Sequence, residues 1–265
     1  LFVSEGDLHV DRLIPRGRPG VGPHEVAHEE GLQGQEGDQA EEAEDESLAG
    51  GLHRRAEFVH WSVLIIIYFV ESAIFMKAAI LIGGRGTRLR PFTQESPKPL
   101  LPVLNRPFLE YQFRVLRTHG VREAVLCVSY RAQDFKRVFG DGRRLGLKLR
   151  YVRESLPLGT GGAVKNAEKF LGRGTSLILN GDVLNAFDLR AFLRFHRARR
   201  AEISIALSRV KDPTLYGLVL TDAQGCVRRF LEKPSWDEVE TNTINAGAYL
   251  FEPSAFSHIP AGKIY

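Results

Sequence analysis

The run Ala78-Ala79-Ile80-Leu81-Ile82 carries no polar side chain and ends abruptly at Gly83-Gly84. A strand that is apolar on both faces needs cover on both. A sheet packed between two helical layers supplies it; a one-sided antiparallel sheet does not. The chain repeats that demand at Ala124–Ser129 and Ser176–Asn180, with an alternating strand at Lys148–Arg153. Between these runs the spacing predicts helices: one N-capped by Asn105, with Pro107 in its first turn and an end at Gly120, then 131–139, Ala163–Leu171 and Leu189–Arg200. Further strands are predicted near 202–208, 217–221, 226–232 and 247–251. This alternation predicts an α/β fold, a mostly parallel, mixed sheet sandwiched by helices. Ligands of such sheets bind beyond the carboxyl ends of the strands. Three loops fall there: 83–91, Asn180-Gly181-Asp182 and Glu232-Lys233-Pro234.

Composition sets residues 1–75 apart from the domain predicted over 76–265. The first part holds 15 acidic and 5 basic side chains and the second 17 and 31, with every lysine and the single methionine, Met76, on the basic side. The run Glu41-Glu42-Ala43-Glu44-Asp45-Glu46 repels itself and buries nothing, which predicts a disordered extension. The apolar stretch Val63–Val70 is too short to span a ~30 Å hydrocarbon layer, and it has neither the position nor the cleavage site of a secretory signal. We therefore expect no membrane anchor, a cytoplasmic protein, and a native start at Met76. Two cysteines make no disulfide framework; Cys127 in an apolar strand and Cys226 beside a turn read as reduced structural thiols. The basic excess lacks the interleaved aromatics of a nucleic-acid surface and suits small phosphorylated ligands.

The loop Gly83-Gly84-Arg85-Gly86-Thr87-Arg88-Leu89-Arg90-Pro91 has the chemistry of a phosphate cradle. Its glycines let backbone N–H groups approach an anion, Thr87 adds a hydroxyl, and Arg88 a planar fork matched to phosphate oxygens. A P-loop would need Gly-Lys-Ser/Thr, and the dinucleotide fingerprint a glycine at Leu89, so both are excluded. In Pro97-Lys98-Pro99 two rings restrict the backbone beneath an ammonium suited to a triphosphate or pyrophosphate. Asp182, at the end of a buried strand, offers a hard carboxylate for Mg²⁺, although turn chemistry alone would also select Asn-Gly-Asp. Glu154 could accept from the N1–H and N2 amino group of a guanine; a solvated strand-end glutamate is the other reading.

Gly-Gly-x-Gly-Thr-Arg-Leu-x-Pro followed by Ser96-Pro97-Lys98-Pro99-Leu100-Leu101-Pro102-Val103 resembles the signature of the sugar-1-phosphate nucleotidylyltransferases. The similarity continues through Pro157-Leu158-Gly159-Thr160-Gly161-Gly162-Ala163, Asn180-Gly181-Asp182, Tyr216-Gly217, Glu232-Lys233-Pro234 and Asn245-Ala246-Gly247, and covers none of the first 75 residues. The resemblance implies a Rossmann-like nucleotidyltransferase (GT-A-like) fold and transfer of a nucleoside monophosphate from an NTP to a sugar-1-phosphate. By it, Arg88, Lys98 and Asp182 are catalytic, with Mg²⁺ on Asp182. Gly83, Gly84, Gly86, Thr87, Gly159 and Thr160 bind the nucleotide, with Glu154 added to them only on the physical reading above, and Tyr216, Gly217, Glu232, Lys233 and Asn245 the sugar phosphate. A second metal ligand is implied further along but has no assigned position, so the domain reads as shortened at its C-terminal side. Lys211–Val219 and Pro157–Thr160 look most like mannose-1-phosphate guanylyltransferases, so GTP is the favoured nucleotide. Glucose-1-phosphate or heptose-1-phosphate transfer, and a non-catalytic regulatory homologue, are the alternatives. The resemblance allows a homo-oligomer.

Overall fold

The computed structural model describes residues 2–5, 76–84, 86–154 and 158–265. The acidic run, the stretch Val63–Val70, Arg85 and Pro157 lie outside the described residues. The chain from Lys77 builds β2 (Lys77–Leu81), α1 (Phe92–Glu95), a hairpin of β3 (Pro102–Val103) and β4 (Arg106–Pro107), α2 (Phe108–Thr118), β5 (Glu123–Val128), α3 (Ala132–Phe139) and β6 (Lys148–Arg153). There follow α4 (Gly159–Leu171), β7 (Ser176–Asn180), α5 (Leu189–Ala198), β8 (Ile203–Arg209), β9 (Gly217–Thr221), β10 (Val227–Glu232) and β11 (Thr243–Phe251). A strand β1 (Phe2–Glu5) pairs in parallel with β8, an element not expected ahead of Met76.

The sheet runs β1-β8-β11-β7-β2-β5-β6. Strands β7, β2, β5 and β6 are mutually parallel, and β11 runs antiparallel to both β7 and β8. Alternation along the strands divides the core as predicted. Ala78, Ile80, Ala124, Leu126, Leu177 and Leu179 face one side, against Phe113 of α2, Phe135 of α3 and Phe192 of α5. Ala79, Val125, Cys127 and Ile178 face the other, against Val164 and Ala167 of α4 and Phe256 beyond β11. The chain leaves β2 for β5 and β6 on one side and returns to β7 on the other. That reversal opens a crevice at the carboxyl ends of β2 and β7.

Three boundaries differ from expectation. Asn105 caps no helix; Leu104 and Asn105, with φ of 49° and 62°, form the two-residue turn of the β3–β4 hairpin, and the helix starts at Phe108. Helix α4 begins at Gly159, not Ala163, and the Tyr265 carbonyl accepts from the Gly161 N–H at 2.9 Å, satisfying one donor that a helix start leaves open. Strand β11 begins at Thr243 and passes through Gly247, where the register to β8 shifts. Among the described residues no helix is long and apolar enough to cross a membrane.

Candidate functional site

The crevice at the switch point is an open cleft of about 510 Å³, walled by the loop after β2, the turn after β7 and the start of α4. The β2 loop is held from two sides. Ser129 Oγ donates to the Gly83 carbonyl at 2.5 Å, and Thr93 Oγ1 donates to that of Gly86 at 2.8 Å. Gly83, Gly84, Gly86 and Thr87 therefore present a fixed backbone to the cleft. Arg88 follows in the short turn Thr87–Leu89; its side chain lies outside what the structure describes.

Lys98 opens a second turn, Lys98–Leu100, anchored by buried Pro99 and Leu100. Its Nζ lies 2.9 Å from Asp182 Oδ2, joining groups 84 residues apart at the mouth of the cleft. Both side chains are substantially exposed, so the pair adds little stability and its partners can be exchanged for substrate charges. The Asp182 turn is seated by the Gly181 N–H, which donates to the Leu81 carbonyl at 2.9 Å. A Cβ on Gly181 would stand 2.1 Å from Ile82 Cγ2, so only glycine allows this approach.

At the far end of the cleft Glu154 leaves β6 and is 7% exposed. Its Oε2 accepts from the Leu158 N–H at 3.3 Å. Gly159 and Thr160 face it across the same cleft. The Cys127 thiol also borders this end, and burial first, then the Glu154 charge, pushes its pKa up to about 12. A thiol so held is no nucleophile; both cysteines are free, as expected.

The residues assigned to the sugar phosphate do not line this cleft, so Glu232-Lys233-Pro234 does not share its wall with the other two loops. They form a neighbouring row instead. Glu232 pairs with Gly217, and the pairing of Ile244 with Leu218 sets Asn245 beside Gly217. On the same edge of β11, Ala248 pairs with Leu179, so β9 takes over where β7 ends at Asn180. The row thus continues the ladder that carries the Asp182 turn. The Lys233 N–H donates to the Tyr216 carbonyl at 2.9 Å. The Asn245 side chain is committed to the fold: its Oδ1 accepts from the Gly247 N–H at 2.8 Å and its Nδ2 donates to Tyr249 Oη at 2.6 Å. Gly247, at φ 68°, packs so closely on Asn180 that a Cβ would fall 2.7 Å from its Nδ2.

Sequence reasoning missed Ser129, Thr93 and Gln112, which fix the site's loops through backbone carbonyls. Nothing in their own neighbourhoods signals a partner that the fold brings from elsewhere. No group of three or more His, Cys, Asp or Glu gathers among the described residues. Asp182 offers a hard oxygen donor at an open cleft mouth. That donor set fits Mg²⁺, which keeps several waters and takes further oxygens from phosphates.

The model of the nucleotidyl transferase family matches residues 77–263. Mannose-1-phosphate guanylyltransferase of Mycobacterium tuberculosis is 44% identical over 186 residues, 70% of this chain and 51% of that protein. The catalytic subunit beta of mannose-1-phosphate guanylyltransferase from Drosophila melanogaster is 40% identical, over 69% and 50%. A UTP–glucose-1-phosphate uridylyltransferase of Synechocystis is 36% identical, over 72% and 52%. The chain therefore spans about half the length of the curated relatives it matches. Among solved structures, HddC from Yersinia pseudotuberculosis, complexed with GMP-PN, superposes with a TM-score of 0.63 at 29% identity, over 71% of this chain and 82% of that one. With its fold, its glycine-rich loop and its matched span in agreement, the chain belongs to the nucleotidyl transferase family.

Proposed function

We propose that the chain transfers GMP from GTP to mannose-1-phosphate, giving GDP-mannose and pyrophosphate. The observation that carries this reading is the meeting of Lys98 with Asp182 opposite the glycine-rich loop, at a cleft whose ladder continues into the Gly217–Glu232 row. The sugar phosphate is already an anionic nucleophile, so no general base is needed. One of its oxygens bonds to the α-phosphorus as the bond from that phosphorus to the bridging oxygen of the β-phosphate breaks, and the electron pair leaves with pyrophosphate. What the protein supplies is alignment and relief of charge repulsion.

In this scheme the backbone at Gly83–Thr87 and the guanidinium of Arg88 hold the triphosphate. Lys98 turns from Asp182 to the departing pyrophosphate, freeing the carboxylate. Asp182 would hold Mg²⁺, which when bound neutralises phosphate charge. Glu232 and Lys233 receive the sugar and its phosphate, Tyr216 and Gly217 shape that row, and Asn245 braces the β11 bulge beside it. Buried Glu154, with one oxygen fixed by Leu158, presents an acceptor suited to the N1–H and N2 amino group of guanine; a uracil or thymine ring offers a single N–H there. The similarity to mannose-1-phosphate guanylyltransferases supports the same choice.

A pyrophosphate-release screen of the four NTPs against mannose-, glucose- and heptose-1-phosphates, with Mg²⁺ and with EDTA, tests this. GTP with mannose-1-phosphate is expected to turn over fastest, and EDTA to abolish release. Faster release with UTP and glucose-1-phosphate would overturn the substrate assignment. Tight GDP-mannose binding with no release from any pair would make the chain a regulatory homologue.

A further inference from the structure

Beneath the Asp182 turn, against α2, lies a small hollow with an inner volume of about 20 Å³, walled by Val115, Leu116, Leu177, Leu179 and Phe187. Two buried amides also border it: Gln112 on α2, 2% exposed, and Asn185 just beyond the turn, 6% exposed. Gln112 Nε2 donates to the Asn180 carbonyl at 2.7 Å and to the Val183 carbonyl. Both hydrogens of the amide are thereby spent. Reversing the amide would set Oε1 against two carbonyl oxygens, so its orientation follows from the chemistry of its partners. Oε1 must face away from the turn, and among the described residues no group donates to it. Neither Nδ2 nor Oδ1 of Asn185 has a partner among the described residues either.

Buried polar atoms are rarely left unpaired, and an apolar hollow bordered by three of them has the size and the partners to hold one water molecule. We propose that an ordered water occupies this hollow, donating to Gln112 Oε1 and bonding to the Asn185 amide, and that Gln112, so fixed, is the positioning residue for Asp182. Its two acceptors, Asn180 and Val183, bracket Asp182 in the chain. Its grip therefore sets where the carboxylate points. That grip matters because no group of three or more potential metal ligands forms among the described residues, so no surrounding ligand cluster sets the aim of the Asp182 carboxylate. The inference rests on the reading of Asp182 as the metal carboxylate.

The test is Mn²⁺ binding, followed by electron paramagnetic resonance with a non-hydrolysable GTP analogue, in wild type, Asp182→Asn, Gln112→Met and Leu116→Ala. Leu116→Ala loosens the same helix and the same hollow without touching the turn. Gln112→Met is expected to weaken Mn²⁺ about tenfold, as lost outer-shell support does, while Leu116→Ala binds as wild type despite its lower stability. Equal Mn²⁺ affinity in Gln112→Met and wild type, or equal weakening in Leu116→Ala, overturns the positioning role. Unchanged affinity in Asp182→Asn overturns the metal reading beneath it, a result distinct from affinity lost in Asp182→Asn yet kept in Gln112→Met. Should Gln112→Met fail to fold, Asn185→Leu, which removes only the water's second partner, is expected to weaken Mn²⁺ severalfold; unchanged affinity there overturns the role. A crystal structure that orders solvent should show the water within hydrogen-bond distance of both amides; a dry hollow overturns that part.

Discussion

At the scale of single residues, the proposed reaction relies on charge placed by rigid backbone and on no activated nucleophile. Lys98 is braced by Pro97 and Pro99, and Arg88 sits in a turn whose neighbours are pinned by Ser129 and Thr93. Groups that act on developing negative charge contribute chiefly in the transition state. Arg88→Ala is therefore expected to lower kcat about a hundredfold, or about 3 kcal/mol, with a smaller effect on the KM for GTP. Steady-state kinetics of Arg88→Ala checks this, and near-normal turnover would remove Arg88 from the mechanism. Cys127 gives a second prediction. Burial raises its thiol pKa from 9.0 to about 12, so in alkaline solution the unfolded chain loses this proton before the folded one does. The thiol's contribution to stability is then complete below the unfolded value and declines as pH rises through that interval. In urea denaturation, the stability gap between wild type and Cys127→Ala should narrow as pH rises above about 9; a gap independent of pH would contradict the burial.

At the scale of elements, one buried histidine ties the end of the sheet opposite the cleft. His196 on α5 is 1% exposed, with Nδ1 2.8 Å from Ser204 Oγ of β8 and Nε2 3.0 Å from Glu252 Oε1 just past β11. Thr175 Oγ1, before β7, donates to the same Glu252 oxygen at 2.6 Å. The carboxylate can only accept, so the Nε2–H donates to it, while Nδ1 shares a hydrogen bond with the serine hydroxyl. His–Glu–Ser contact of this kind resembles a hydrolytic triad. Yet Ser204 is fully buried and lies at the amino ends of the parallel strands, away from any ligand-binding crevice. It is a clamp. His196→Leu leaves the serine hydroxyl unpaired and should cost about 1–3 kcal/mol in urea denaturation. Turnover measured well below the melting range should stay near normal; a large loss of kcat in a stable variant would show that the clamp reaches the cleft. None of this was legible in the sequence, because His196, Ser204 and Glu252 lie in separate segments with no shared periodicity. The helix itself was legible: Asp188, whose Oδ1 accepts from the Arg190 and Ala191 N–H groups, precedes a clear apolar stripe.

At the scale of the whole molecule, the doubly covered sheet was readable because fully apolar runs such as Ala78–Ile82 have few other uses, and the family motifs fell at the strand ends as the fold requires. What the sequence could not give was the path of β11. It starts at Thr243, and its register shift falls where Gly247 packs closely on Asn180, a contact between distant segments. The Glu232 row lies beside the cleft wall and not within it. The division has an electrostatic consequence. In the proposed reaction two anionic substrates approach separate basic stations, Lys98 at the cleft for one and Lys233 on the neighbouring row for the other, on a domain that carries 31 basic against 17 acidic side chains. Such a field raises encounter rates over a range set by the Debye length, about 10 Å at 0.1 M salt. Contacts made directly on a phosphate are screened less. Raising KCl from low to moderate concentration at fixed free Mg²⁺ should therefore lower kcat/KM for both substrates severalfold and leave kcat nearly constant. The dependence should flatten for mannose-1-phosphate in Lys233→Met while persisting for GTP. If Lys233→Met instead flattened both dependences equally, the two anions would be drawn by a single station, and the separate row on β9–β11 would have no part in capturing the sugar phosphate.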